Sequence, residues 1–468
     1  MKHSRLAAAL LAASAIVGAP AASADDRVYA DFPITVKGYS GGKTSSVSYS
    51  GQVARHVLHD SLKKLIGAGD AAKMQAYFSG EGKDAPRAII APASKKGFAV
   101  KQSSVEEISK GKNLAGKTYK GTVAGMPNNM TGAELIAFWL DKAAAAKNGV
   151  DLANGYDYGQ LVSKFIMGAV FYNQVVDGYL DENLSAEKKP NDKPYSDGAA
   201  YTGKEHSWDE AFGYFGAPVH VMRLTPQQVY DIAKLKDAGA SDFDKDGVVD
   251  LKTEMTFAPA YYAAGFDASV YDTGDGTNYL HTISRAFLDG REIIAKAKGE
   301  KLTDAARAEL RRLAAVIGEN WERVFAEAVF KYAGSVYKDL EKIQTIVEAK
   351  GDPSKALRDY VKHWGELKGF SLAMQAGKEN LGETATRLNR MIGYGPLMPN
   401  LSQVVDIDSK GNYVRDQGIT WGEYMVHMAK IQKLMIDEFG VRARNNAIAG
   451  DIEAMSKALG VPRSAEND

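Results

Sequence analysis

The clearest signal along the chain is a change of period. Residues 31–50, DFPITVKGYSGGKTSSVSYS, mix β-branched residues with Gly and Ser without helical spacing, so 25–50 is expected to be an extended, loop-like segment. Val53, Val57, Leu58, Leu62 and Leu65 then recur at three- and four-residue steps, as one face of an amphipathic helix requires. Residues 80–129 are irregular, heavy in Lys, Gly, Ser and Pro. Thr131 and Glu134 have capping-box spacing ahead of ELIAFWLDKAAAAK, a long helix is expected at about 158–180, and the polar run 181–205 reads as a surface loop. Ser207 with Glu210 repeats the capping-box spacing, and Thr225-Pro226 with Gln228 opens a further helix with Pro in its first turn.

Beyond 240 the 3.6 period is nearly continuous, at about 277–298, 303–350, 353–377, 378–392, 421–439 and 451–459, with Gly351-Asp352-Pro353 as the break between two helices. The expected fold is all-α: two helical-bundle lobes, 51–240 and 241–468, preceded by the extended N-terminal segment.

Composition narrows the class of function. At 468 residues and 45% hydrophobic the chain can bury a sizeable core. Its 58 Lys+Arg equal its 58 Asp+Glu, so the positive surplus on which nucleic-acid and anionic-membrane binding depend is missing, and neither partner is expected. With no cysteine, disulfides, thiolate zinc sites, iron-sulfur clusters and cysteine nucleophiles are excluded. MKHSR, an Ala/Leu run and Ala22-Ser23-Ala24 have the three parts of a secretory signal, with cleavage expected after Ala24 and the periplasm as destination. No later apolar run reaches ~18 residues, so no membrane anchor is expected.

Two nucleotide- and hydrolase-like strings lack their context. Gly111–Thr118, GKNLAGKT, satisfies the Walker A letters, but no apolar strand precedes it and YKGTVAG after it is a poor helix. Gly38–Gly42 satisfies G-x-S-x-G with no helix to follow. Asp242, Asp244, Asp246, Gly247, Val248 and Asp250 carry more chemistry: carboxylates at alternate positions can curl around Ca²⁺, Val248 can offer its carbonyl, and Gly permits the turn. Thr253 occupies the twelfth position, where an EF-hand has Glu, so Glu254 would have to be reached by a widened loop. A solvated acidic turn is the other reading.

His363 and Glu366 lie three apart inside one helix, a spacing that lets two side chains grip one metal and also suits a plain His-Glu hydrogen bond. His206 and Asp209 are the nominated partners from another helix, for iron or zinc. Asn173, Gln174 and Asp177, in the apolar GAVFYNQVVDGYL, would form a polar network or line a ligand cleft. His56 and His59 read as a solvated helix face, and Glu423 with His427 as a helix pair behind a Thr420 cap.

SSVSYSGQVARH, GAVFYNQVVDGYL, HSWDEAFGYFG, DFDKDGVVDLKTE, HWGELKGFSLAMQ and IGYGPLMP together resemble a bacterial exported family catalogued as a domain of unknown function, similar in turn to the imelysin-like helical proteins of iron-regulated systems. The resemblance implies two helical bundles and a G-x-H-x-x-E metal signature, of which His363 and Glu366 supply H-x-x-E with Val361 in the Gly position. Residues and resemblance together leave three functional expectations. The first is a non-catalytic periplasmic accessory protein that binds a metal or small ligand and carries a structural Ca²⁺ loop; the second is an imelysin-like metallopeptidase; the third is a scaffold for another envelope protein. Whether His206 and His363 share a cleft separates the first two.

Overall fold

The computed structural model describes residues 25–80, 86–269, 276–377, 381–448 and 450–461, and the expected signal segment at 1–24 lies outside them. The chain is mostly helical. In order run α1 (Ser50–Ala68), α2 (Ala71–Phe78), α3 (Val105–Ile108), α4 (Gly132–Ala145), α5 (Tyr158–Ile166), α6 (Gly203–Phe215), α7 (Pro226–Ala233), α8 (Ala238–Ser241) and α9 (Ala258–Ala268). They are followed by α10 (Tyr279–Lys296), α11 (Asp304–Glu348), α12 (Ser354–Ala373), α13 (Gly382–Ile392), α14 (Trp421–Phe439) and α15 (Ile452–Ala458).

The spine is α11, 45 residues and roughly 68 Å long, started by Thr303, whose hydroxyl accepts the Ala306 amide. α10, α12 and α14 pack along it, and α12 also packs on α5, joining the N-terminal half to the C-terminal half. One apolar cluster runs from Val28 to Ala443 and draws on residues from both sides of 240.

Several local expectations change. The helix expected at 158–180 spans that range, but after Ile166 its turns widen to the π type through Tyr179, beginning where Gly168 meets α12. A Cβ on Gly168 would stand 2.2 Å from the Ala373 carbonyl oxygen, so only glycine allows this crossing. α6 starts one turn earlier than expected: Thr202 and Glu205 form the capping box, and Ser207 lies inside the helix, accepting from Asn183 Nδ2 at 3.0 Å. Both pairs have the same spacing, and Glu205 wins because its carboxylate is also wanted by Arg291, 3.1 Å away. The polar run 181–205 is gathered around one lysine, Lys204 Nζ donating to the carbonyls of Asn183, Ser185 and Lys188. An antiparallel hairpin, β3 (Ser402–Ile407) with β4 (Tyr413–Gln417), stands where no strand was expected, besides a two-residue pair β1 (Val150–Asp151) and β2 (Tyr156–Asp157).

Candidate functional site

The acidic loop leaves α8, whose cap is Asp237, and turns through Lys245 (φ 60°) and Gly247 (φ 88°). Asp242 Oδ2 accepts the Gly247 amide at 3.0 Å, Asp244 the Asp246 amide at 3.1 Å and Asp246 the Val248 amide at 3.0 Å. The carboxylates of Asp242, Asp244 and Asp246 offer oxygens within 4.8 Å of one another, a convergence no other His, Asp or Glu group reaches among the described residues. Asp250 accepts from Gln102 at 2.8 Å and from the Lys252 amide. Glu254 is buried and accepts the amides of Phe243 and Asp244 with one oxygen and that of Asp250, at 2.7 Å, with the other. It braces the loop from beneath, and burial raises its pKa. Val249 bridges to Val100 in parallel, tying the loop to the chain before α3.

The four residues nominated for a second metal are held apart. His363 Nδ1 is 2.6 Å from Asp339 of α11, and Glu366, 6% exposed, receives the Tyr332 hydroxyl at 3.2 Å and has Lys164 Nζ at 3.6 Å. His206 lines a different cavity, its Nδ1 3.0 Å from the Ser48 carbonyl, between the rings of Tyr195 and Tyr201. Asp209 is sealed inside: it accepts from Arg291 Nε at 2.9 Å, the Tyr29 hydroxyl at 3.1 Å and the Ser48 amide at 3.1 Å. These partners take the imidazole of His363 and the carboxylate of Asp209, and the four side chains do not converge. Asn173 is buried, Gln174 donates to the Lys117 carbonyl and Asp177 faces solvent, so these three line no common cleft.

His56 and His59 are not on a solvated face. α5 and α6 both pack on α1, which buries both rings. His56 stacks on Phe257 at 4.9 Å with Nε2 3.1 Å from the Gly213 carbonyl, and burial pushes its pKa down to about 3. His59 Nε2 meets Ser163, and its Nδ1 lies 2.9 Å from Asp60. The Walker-like string has no strand before it, and only a short 3₁₀ turn, Ala115–Lys117, inside it. Gly38–Gly42 lies in a largely exposed loop, with non-helical residues 43–49 between it and α1.

What the sequence did not announce is a cavity of about 540 Å³ bounded by α1, α5, α9, α11 and α12. Five lysines reach its walls, Lys63, Lys164, Lys234, Lys331 and Lys362, against two carboxylates, Asp60 and Glu366. Lys164 is 3% exposed and stands 5.5 Å over the Tyr262 ring. Burial, then the neighbouring Lys164, pushes the Lys63 pKa down, and burial also lowers that of Lys331. Tyr261, Tyr262 and Tyr332 form an aromatic wall, and Thr256, 2% exposed, presents a buried hydroxyl with no hydrogen-bond partner. The arrangement suits an anion with an apolar portion: ammonium groups and tyrosine hydroxyls meet the charge while rings cover the rest. Successive lysines are 31 to 101 positions apart in the chain, so no spacing rule could have grouped them.

Residues 38–230 match the family model of a domain of unknown function, DUF4856. That span supplies His59, Asp60, Lys63 and Lys164 to the large cavity and every residue lining the smaller cavity that holds His206; Lys234, Lys331, Lys362 and Glu366 come from beyond it. No curated protein and no solved structure matches the chain.

Proposed function

We propose that this is a non-catalytic binding protein that holds a small anionic solute in the lysine cavity, acting in the periplasm as an accessory of solute or metal uptake. The observation that carries the reading is the imbalance of five lysines over two carboxylates around about 540 Å³, with an unpartnered Thr256 hydroxyl on the wall. Such a site gains most from a ligand that brings the missing negative charge. The test is calorimetric titration of the full chain with malate, citrate and an uncharged polyol, repeated on Lys164→Met. Expected are binding of the carboxylates, no heat from the polyol, and a loss of roughly tenfold or more in affinity in the variant. Equal response of wild type and a cooperatively melting Lys164→Met would reject the site.

A second reading is favoured by the convergence of Asp242, Asp244 and Asp246 and by the buried, unpartnered Oδ1 of Asp242: a Ca²⁺ ion stabilises the loop. Ca²⁺ at a hundred times its Kd adds about 2.7 kcal/mol, so melting in millimolar Ca²⁺ should exceed melting in chelator, and Asp244→Asn should erase the difference. The same melting temperature in both would reject it. The metallopeptidase alternative is the weaker, because His363 and Glu366 are engaged by Asp339, Tyr332 and Lys164. An envelope-scaffold role rests on nothing more than scattered exposed apolar residues such as Val405 and Val414.

A further inference from the structure

The string Gly111–Thr118 fails as a P-loop, yet its two lysines do not point at random. Lys112 and Lys117 line a polar cavity of about 310 Å³ at the start of α1, together with Arg55 from the next turn of that helix. A Cβ placed on Gly51 would lie 3.0 Å from Lys112 Cε and 3.5 Å from its Nζ, so an ammonium is held over the first turn of a 19-residue helix. Of that turn's amides, those of Gln52 and Val53 already reach the Tyr49 carbonyl, at 3.0 and 3.4 Å, while the positive end of the helix dipole repels a cation and attracts an anion. Tyr49, at the cap position, makes no side-chain hydrogen bond to those amides; it lines the cavity, is 7% exposed, and its hydroxyl has no partner.

Arg55 donates Nε to the Asn113 carbonyl at 2.9 Å and Nη1 to the Gly51 carbonyl at 3.2 Å, whereas the two lysines are unmatched. Among the described residues neither Lys112 nor Lys117 has a side-chain hydrogen bond or ion pair, and burial, then Arg55, pushes the Lys117 pKa down. The one carboxylate, Glu210, accepts from Gln52 at 2.8 Å and lies 3.7 Å from His206 Nε2. Three basic side chains, two from one loop and one from the helix, thus crowd an uncapped helix start with nothing of opposite sign free to meet them.

We propose that this cavity is a second, independent site that binds the phosphate group of a small phosphate monoester. A tetrahedral oxyanion has enough acceptor sites for amides and ammonium groups together, and the volume exceeds that of phosphate alone, leaving room for a short hydroxylated group beside Ser48, Ser109 and Tyr201.

Calorimetry on the full chain at constant ionic strength tests this with three probes: inorganic phosphate, glycerol 3-phosphate and glycerol. Glycerol 3-phosphate is expected to bind more tightly than phosphate, and glycerol not at all. In Lys112→Gln/Lys117→Gln affinity should fall by roughly tenfold or more, while Lys342→Gln, on the exposed face of α11 and outside both cavities, leaves it unchanged. Ser50→Asp, which tethers a carboxylate at the helix start, should raise the melting temperature in phosphate-free buffer and abolish binding. No heat with either phosphate up to about 10 mM, or undiminished binding in the folded double variant, overturns the site. Binding of phosphate but not of its glycerol ester overturns the assignment of the ligand.

Discussion

Arg291 and Lys164 are both buried cations on long-range contacts, and they have been settled in opposite ways. Arg291 is fully enclosed: Nη1 meets Glu205 at 3.1 Å, Nε meets Asp209 at 2.9 Å and Nη2 meets Ser46 Oγ at 2.5 Å, while Phe32 covers its plane at 5.0 Å. Tyr29, Thr35, Ser48 and the Thr202 amide also donate to the two acids. This cluster pins the N-terminal extended segment to α6 and α10, with all three charged side chains fully enclosed. Lys164 has one loose partner, Glu366 at 3.6 Å, shares its surroundings with four other lysines, and borders a cavity. A buried charge whose partners are complete is architecture; one left short of partners beside a cavity is a place where a ligand can complete the set.

The largest expected effect breaks the closed side. Arg291→Met leaves Glu205 and Asp209 buried without their counter-ion and should destabilise by about 3–5 kcal/mol in denaturant unfolding. A change below about 1 kcal/mol would mean that water or rearrangement reaches the cluster and that it is not sealed.

Lys368 sharpens the comparison as a sealed cation with neutral partners only, Asn389 Oδ1 at 3.0 Å and the Gly393 carbonyl at 2.8 Å. Burial pushes its pKa down to about 7, against 10.5 in the unfolded chain. Between those values the unfolded state binds a proton the folded state lacks, so this group's contribution rises with pH across that window and is least favourable below pH 7. Wild type should gain on the order of 2–3 kcal/mol more than Lys368→Met between pH 7 and about pH 9.5, read from unfolding curves at the two values. Parallel pH profiles would show the lysine is charged throughout.

A smaller effect is expected at Thr202, whose hydroxyl accepts the Glu205 amide and so fixes the residue that Arg291 needs. Thr202→Ala should cost about 1 kcal/mol; in the Arg291→Met background the cost should differ, since the two act through Glu205. Additivity in that double-mutant cycle would uncouple cap from cluster. Smallest is Lys164→Met, expected within about 1 kcal/mol of wild type in the absence of ligand, because Lys63 and Lys331 remain near Glu366. A loss comparable to that of Arg291→Met would make Lys164 a structural partner like Arg291.

Helices whose apolar stripe faces a neighbour and whose caps are local were legible: α4 with Thr131 and Glu134, α7 with Thr225, Pro226 and Gln228, and α14 with Thr420 and Glu423. The hairpin of β3 and β4 carried a usable sign, since Asp408, Gly411 and Asn412 form a turn between VVDI and YVRD, but surrounding helices made a strand pair easy to overlook. The acidic loop was legible as a turn of converging carboxylates, though Glu254 accepts backbone amides beneath it.

By itself the sequence determined the helical class, the limits of the long C-terminal helices, the caps of α4, α7 and α14 and the bend at Asp242–Asp250, because periodicity, capping and turn chemistry act over a few residues. The tertiary structure alone decided which of two equal capping pairs starts α6, that His56 and His59 are buried, and that His363 and His206 open onto different cavities. It also decided that lysines from positions 63 to 362 meet around one space. Each of those depends on what a neighbouring helix brings to a face, and a helix face is blank until its neighbour is known.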